Sequence, residues 1–220
     1  MQKKTHISMS VIRRLPRYYR FLRDLDRRGI LRVSSRELSE KLGLTASQVR
    51  QDFNCFGGYG QQGYGYSVPK LREEIGETLG LGRKHKCILL GAGNLGKAIA
   101  THITNNLAGF ALTGIFDSGE HISDRELAGL SVLPYTALED FCTDEQPIMA
   151  ILCIPRAAVE GTVDQLYALG IRNYWNFSSY DIAPRYKDAV VETVHLSDSM
   201  MTLCYLVSDS TDNLLSLIHI

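Results

Sequence analysis

The chain has 220 residues, enough for one large or two small domains. At 45% apolar and 22% charged residues it is composed like an ordinary globular protein, which excludes disordered, collagen-like and coiled-coil classes. No run approaches the roughly 18 apolar residues of a membrane helix, and the N-terminus has no apolar core of a secretory signal. Five cysteines without metal-ligand spacing fit a reduced, cytoplasmic protein with no metal and no membrane contact.

A formal net charge of zero conceals a strong asymmetry. Residues 1–86 hold 18 basic and 8 acidic side chains, a net of +10, whereas residues 87–220 hold 6 and 16, a net of −10. A basic half of this kind points to a polyanionic partner, with a solvated basic surface as the plainer reading.

In chain order, Leu15, Tyr18, Tyr19, Leu22 and Leu25 recur at helical spacing, which predicts an amphipathic helix over Val11–Arg28 that starts or kinks near Pro16. Ser34-Ser35-Arg36-Glu37 and Thr45-Ala46-Ser47-Gln48 are two capping-box patterns, separated by the Leu42-Gly43-Leu44 turn. Helix, glycine turn, helix is the helix-turn-helix arrangement. Its second helix would present Ser47, Gln48, Arg50 and Gln51, and Arg and Gln carry forks that match guanine and adenine edges in the major groove. Residues 57–66 alternate glycine with tyrosine and glutamine. They predict a hairpin wing with tyrosines, Tyr59 among them, on one face and with Gln61 and Gln62 at the tip, reaching a minor groove. A generic helical packing unit is the bland alternative. A helix over Val68–Leu79 and a linker at Gly80–Lys84 follow.

The acidic half opens with the apolar run Lys86–Leu90, which feeds into Gly91-Ala92-Gly93-Asn94-Leu95-Gly96 and a helical continuation. A second strand over Phe110–Phe116 ends at Asp117, 21 residues past Gly96. The spacing has a mechanism: Gly91 for a tight turn, Gly93 for approach to a pyrophosphate, Gly96 for close packing, and the helix start for phosphate. Asp117 would accept from a ribose 2′-hydroxyl, which favours NAD(H) over NADP(H). A purely structural glycine turn is the alternative. Further strands are predicted over Ile148–Pro155, Ile171–Phe177 and Ala189–Leu196, with a helix over Ala157–Leu169. Alternating strand and helix implies a parallel sheet with its ligand at the carboxyl ends of the strands, where Pro155 lies. The tail spaces Leu196, Met200, Leu203 and Val207 along one helical face, either to pack on its own domain or to reach a second subunit.

His102, His121, His195, Lys97 and Arg156 are the acid–base candidates a dehydrogenase would need, and none sits in a recognisable catalytic pattern. No catalytic residues are assigned. The expected class is α/β: a winged helix-turn-helix domain (1–84), a Rossmann-type parallel sheet domain (85–196) and a C-terminal dimerisation helix (197–220).

Taken together, Arg14-Leu15-Pro16-Arg17-Tyr18-Tyr19-Arg20, Ser34-Ser35-Arg36-Glu37-Leu38, Gln48-Val49-Arg50-Gln51-Asp52, the wing at 60–66, the glycine motif at 91–96, Phe116-Asp117 and Asn176-Phe177 resemble the Rex family of redox-sensing transcriptional repressors. The resemblance implies a homodimer on palindromic double-stranded operator DNA, with its C-terminal helix swapped between subunits. It implies that NADH binding releases the operator while NAD⁺ leaves the protein competent to bind it, and that targets are genes of fermentation and respiration. It places Asn176 and Phe177 near the nicotinamide, and it assigns a switch to the positions of Arg20, His102 and His195. The chain departs from the family pattern at four places. Gln51 and Gln62 stand where a basic residue is usual, which would flatten the salt dependence of binding. His102 stands for a tyrosine and His195 for an aspartate, which would make the switch pH-sensitive. Two other readings remain open: a small NAD-dependent oxidoreductase with a basic extension, and a nucleotide- or coenzyme-A-binding regulator of the same fold.

Overall fold

The structure is a computed structural model that describes residues 7–55, 60–61, 64–107, 109–119 and 126–218; of residues 60, 61, 106 and 210–218 it describes the backbone alone. Its internal contacts divide the chain into two compact units, Met1–Arg83 and Lys84–Ile220.

In the first unit, α1 (Met9–Ile12) and α2 (Leu15–Arg27) replace the single helix that periodicity predicts. The chain breaks at Arg13-Arg14, and Pro16 falls in the first turn of α2. There its missing N–H has no helical partner to lose. Leu15, Tyr18, Leu22 and Leu25 form the buried face of α2. β1 (Arg32–Val33) leads into α3 (Ser35–Leu42), whose capping box is complete: Ser34 Oγ accepts from the Glu37 amide at 3.1 Å, and Glu37 Oε2 accepts from the Ser34 amide at 2.7 Å. Those bonds hold the Glu37 carboxyl below its ordinary range. Gly43, left-handed at φ 65°, ends α3.

α4 (Ala46–Asn54) starts at Thr45, whose hydroxyl accepts from the Gln48 amide at 3.1 Å. The second capping box is only half made, because the Gln48 side chain turns instead to Asp52. β2 (Gly60–Gln61) and β3 (Gly65–Ser67) then form the hairpin, which extends β1 into an antiparallel sheet of order β1-β3-β2. Tyr66 packs edge-on against Phe53 with ring centroids 4.9 Å apart. Tyr64 sits in the turn, where strand alternation does not apply, and is 68% exposed; these two tyrosines do not share a face. Tyr59 and Gln62 lie outside the described residues. α5 (Val68–Thr78) closes the unit.

The second unit runs β4 (His85–Leu90), α6 (Asn94–Asn106), β5 (Phe110–Asp117), β6 (Glu126–Leu127), β7 (Leu130–Pro134), a 3₁₀ turn at Tyr135–Ala137, α7 (Leu138–Glu145), β8 (Met149–Leu152), α8 (Arg156–Ala168), β9 (Asn173–Asn176), β10 (Val190–Thr193) and α9 (Leu196–Ile218). The sheet order is β10-β9-β8-β4-β5-β7-β6, parallel throughout except for the antiparallel edge pair β6 and β7. Counting from β4, the parallel strands follow the doubly wound order, with the switch point between β4 and β8.

Cys87, Ile88, Leu89 and Leu90 are all fully buried because β4 is covered on both faces. Ile88 and Leu90 pack with α7 and α8, and Cys87 and Leu89 with α6. The sequence reading contains neither β6, β7 nor α7. β7 ends in proline, and α7 buries only Leu138 and Cys142, too few to show a period. α9 is exposed along its described length: Leu196, Met200, Met201, Leu203, Tyr205, Leu206 and Val207 range from 53% to 69% exposed.

Candidate dinucleotide crevice and nucleic-acid surface

The glycine motif joins β4 to α6 at the switch point, where strand ends diverge and leave a crevice. Gly91 has φ 96°, and a Cβ there would lie 2.3 Å from the Cys153 carbonyl oxygen. A Cβ on Gly96 would lie 1.8 Å from the Gly91 carbonyl oxygen. Both glycines are thus required by the turn and by the packing of α6 on its own strand. Gly93 differs: a Cβ there would meet nothing within 4 Å. Its bare backbone faces open space, the cradle a phosphate needs. Gly93 is also the N-cap of α6, no side chain caps that helix, and no acidic residue stands in its first turn. Asn94 and Leu95 supply the first amides at an end that favours an anion.

Asp117 closes the crevice on the other side. Its Oδ2 accepts from the Ala92 amide at 2.8 Å, and its Oδ1 accepts from the Ser118 and Gly119 amides at 2.7 and 3.1 Å. The carboxylate is held at the end of β5, with oxygen lone pairs left over for hydroxyl donors. Tyr135, in the turn after β7, adjoins it: burial and the Asp117 charge push its hydroxyl up to about 12. Sequence reasoning missed Tyr135, because the segment that carries it shows no period.

At the ends of β8 and β9, Pro155 is exposed and starts α8, and the Phe177 amide donates to the Leu152 carbonyl at 3.0 Å. The Phe177 ring packs on Trp175, centroids 4.8 Å apart. Asn176 is fully buried. Its Nδ2 donates to the Tyr180 carbonyl at 2.8 Å, and its Oδ1 accepts from the Ser178 amide and hydroxyl at 3.0 and 2.7 Å. It shapes the turn that carries Phe177. Arg156 donates to the Ser179 carbonyl at 3.0 Å and pins the same loop. His102 lies on α6 and His195 immediately precedes α9, while Arg20 is exposed on α2 of the first unit. His121 lies outside the described residues.

The residues fit a dinucleotide: an anion-favouring helix start, a backbone cradle at Gly93 and a carboxylate at the far edge. The motif carries no basic side chain of its own for a 2′-phosphate.

In the first unit, α4 buries Val49, Asp52 and Phe53 and exposes Ser47, Arg50, Gln51 and Asn54. Asp52 is fully buried, and Arg14 grips it with two bonds of 2.7 Å, joined by Tyr18 Oη at 2.8 Å and Gln48 Nε2 at 3.1 Å. Burial is the largest influence on this carboxyl and would raise it; the hydrogen bonds from Arg14, Tyr18 and Gln48 together outweigh burial and hold it below its ordinary value. Tyr18 is pushed well up by burial and by Asp52. The network clamps α4 onto α2. It also takes up the amide of Gln48, which sequence spacing placed on the base-reading face.

Two family models match the chain: one for a putative DNA-binding protein N-terminus over residues 6–54, and one for a CoA binding domain over residues 82–180. The redox-sensing transcriptional repressor Rex of Clostridium perfringens (strain SM101) is 46% identical over 208 residues, 94% of this chain and 98% of that one. The Rex repressor of Thermoanaerobacter pseudethanolicus is 46% identical over 209 residues, 95% of this chain and 93% of that one. Among solved structures, the Rex-family repressor RSP in complex with NAD⁺ and operator DNA has a TM-score of 0.84 at 45% identity, covering 94% of this chain and 95% of that one. RSP in complex with NADH has a TM-score of 0.84 at 42% identity, covering 94% and 97%.

Proposed function

The chain belongs to the Rex family of redox-sensing transcriptional repressors, and on that premise we propose how its two units divide the work. The protein is a redox-sensing repressor that binds operator DNA and NAD(H). It holds the operator alone or with NAD⁺ and releases it when NADH is bound. Because a ligand that binds two conformations equally shifts neither, the signal lies in a difference of NADH affinity between the DNA-competent and released states.

Within the second unit, Gly91, Ala92, Gly93, Asn94, Leu95 and Gly96 hold the pyrophosphate, and Asp117 accepts from the ribose. Pro155 and Phe177 border the nicotinamide half, and Asn176 acts by fixing Phe177. Within the first unit, Ser47, Arg50 and Gln51 face the DNA from α4, and the sequence pattern adds Tyr59 and Gln62 as further DNA contacts. Gln48 acts from behind, through Asp52. The family resemblance assigns the switch to the positions of Arg20, His102 and His195. The exposed apolar length of α9 pairs two copies into a homodimer, matching a palindromic site. The chain is a regulator without catalytic turnover, as its repressor relatives support, and its work is done in the cytoplasm.

The observation that carries this reading is the glycine turn closed by Asp117, borne on the same chain as an exposed polar α4. The test uses Trp175, the single tryptophan, beside Phe177 at that crevice. Excitation of Trp175 should sensitise the emission of bound NADH. In parallel, anisotropy of a labelled A/T-rich palindromic duplex should fall when NADH is added and hold with NAD⁺. The CoA binding domain match supplies a second reading, so coenzyme A and NADPH are titrated alongside. Displacement of DNA by coenzyme A but not by NADH would favour that reading, and oxidation of NADH by added carbonyl compounds would favour an enzyme.

A further inference from the structure

α4 presents one continuous polar arc. At about 100° per residue, Ser47, Arg50, Gln51 and Asn54 fall within an arc of roughly 100°, opposite the buried Val49, Asp52 and Phe53. All four are exposed. Gln48 lies on the shoulder of this arc and donates its amide to Asp52 at 3.1 Å. The side-chain amides of Gln51 and Asn54 make no hydrogen bond among the described residues, whereas Arg50 has only a 3.4 Å bond to Ser35 Oγ. The helix thus spends one amide on its own support and leaves two facing outward, one turn apart.

An amide with a free N–H and a free C=O matches the N6–N7 edge of adenine, and an acidic or apolar side chain does not. Asn54 is a short, exposed example at the last turn of the helix, in line with Gln51 and Arg50. We propose that Asn54 is a base-reading residue, that with Gln51 it selects adenine at neighbouring positions of each half-site, and that Gln48 is a positioning residue which reads no base. This rests on the operator-binding reading above. It deepens that reading by assigning the specificity face to Ser47, Arg50, Gln51 and Asn54.

The experiment selects full-length protein and variants against a pool of duplexes carrying two inverted half-sites with randomised positions, and measures the preferred binders at several salt concentrations. Asn54→Ala should lose about tenfold or more of the preference for adenine at one position per half-site. Its salt slope should stay that of the parent protein, because no phosphate-neutralising charge is removed. Asn54→Asp should move the preference at that position toward cytosine, whose N4 amino group donates to a carboxylate. Gln48→Ala should lower affinity for all sequences alike and leave the base preferences unchanged. Thermal melts of Asn54→Ala should match the parent, since the side chain makes no bond within the described residues. An Asn54→Ala protein with every base preference of the parent would overturn the proposal, as would a Gln48→Ala protein that changes them. A parent protein that enriches no duplex would instead remove the operator-binding reading itself, and the proposal with it.

Discussion

The Asp117 carboxylate accepts a hydrogen bond from the Ala92 amide at 2.8 Å and so ties the end of β5 to the glycine turn after β4. On the proposed reading, one acid would both shape the phosphate-binding turn and offer its remaining lone pairs to a ribose. Asp117→Ala should therefore weaken NADH by about tenfold or more, in keeping with the roughly 1.5–3 kcal/mol of a hydrogen bond to a charged group. It should weaken NADPH less, because a negative charge is removed from the 2′ position. Titration by Trp175-sensitised NADH emission reads both.

Gly93 and Gly96 separate ligand approach from folding. Gly93 has φ −70° and an open Cβ position, so Gly93→Ala should keep stability within about 1 kcal/mol while a methyl group enters the phosphate cradle. NADH affinity should fall with the melting temperature unchanged. Gly96→Ala forces a methyl to 1.8 Å from a carbonyl oxygen and should cost about 1–3 kcal/mol of stability as well as the ligand. Paired melting curves and binding titrations distinguish the two.

Asp52 sets an acid limit on the DNA-binding unit. Its folded-state pKa lies below the ordinary 3.8, so its contribution is complete above that value and is lost as pH falls through the folded pKa. The first unit should lose stability below about pH 4. Asp52→Asn should flatten that acid limb and cost about 3 kcal/mol or more at neutral pH, since Arg14 then faces a neutral amide. Denaturant melts at pH 3, 4 and 7 test both statements.

The apolar face of α9 predicts its own disruption. Leu203→Glu with Val207→Glu places charges on a face where Leu203 and Val207 are 53% and 57% exposed. Sedimentation should show a monomer in place of a dimer. Affinity for a two-half-site duplex should fall by about a hundredfold or more as the second contact ceases to be intramolecular, with the far-ultraviolet circular dichroism of the two units retained.

The β6–β7 hairpin carries a local strain that can be relieved. Leu127 pairs with Leu130 across a two-residue turn of Ala128 and Gly129, both at positive φ, 54° and 80°. Such a turn prefers Asn-Gly. Ala128→Asn should raise stability by about 0.5–1 kcal/mol, read as a higher denaturation midpoint at unchanged slope.

Much of the architecture was legible in the sequence because its signals are local. Ser34 and Glu37 define a helix start by their spacing, and the short apolar run Cys87–Leu90, feeding directly into a glycine turn, reads as a strand buried on both faces. β6, β7 and α7 were not legible: their burial depends on neighbours far away in sequence and leaves no period to read. Likewise Tyr135 comes beside Asp117 only because β7 pairs with β5 and brings Pro134 opposite Asp117.

By itself the sequence determined the two-part organisation, the glycine turn with its acid, and a polar helix behind a basic one. These follow from residue spacing, and backbone geometry converts spacing into shape without reference to the rest of the chain. Only the tertiary structure decided which polar side chains are available to a partner. Gln48 and Gln51 are both glutamines on one helix, and Asn176 sits in a motif associated with the ligand. Yet Gln48 is spent on Asp52 and Asn176 on its own turn, while Gln51 and Asn54 face outward. A buried carboxylate or carbonyl must find donors, and whichever amide lies within about 3 Å supplies them. Gln48 reaches Asp52 from one turn away on its own helix, but the burial of Asp52 and its donors Arg14 and Tyr18, 38 and 34 residues away, come from the packing of α2 on α4.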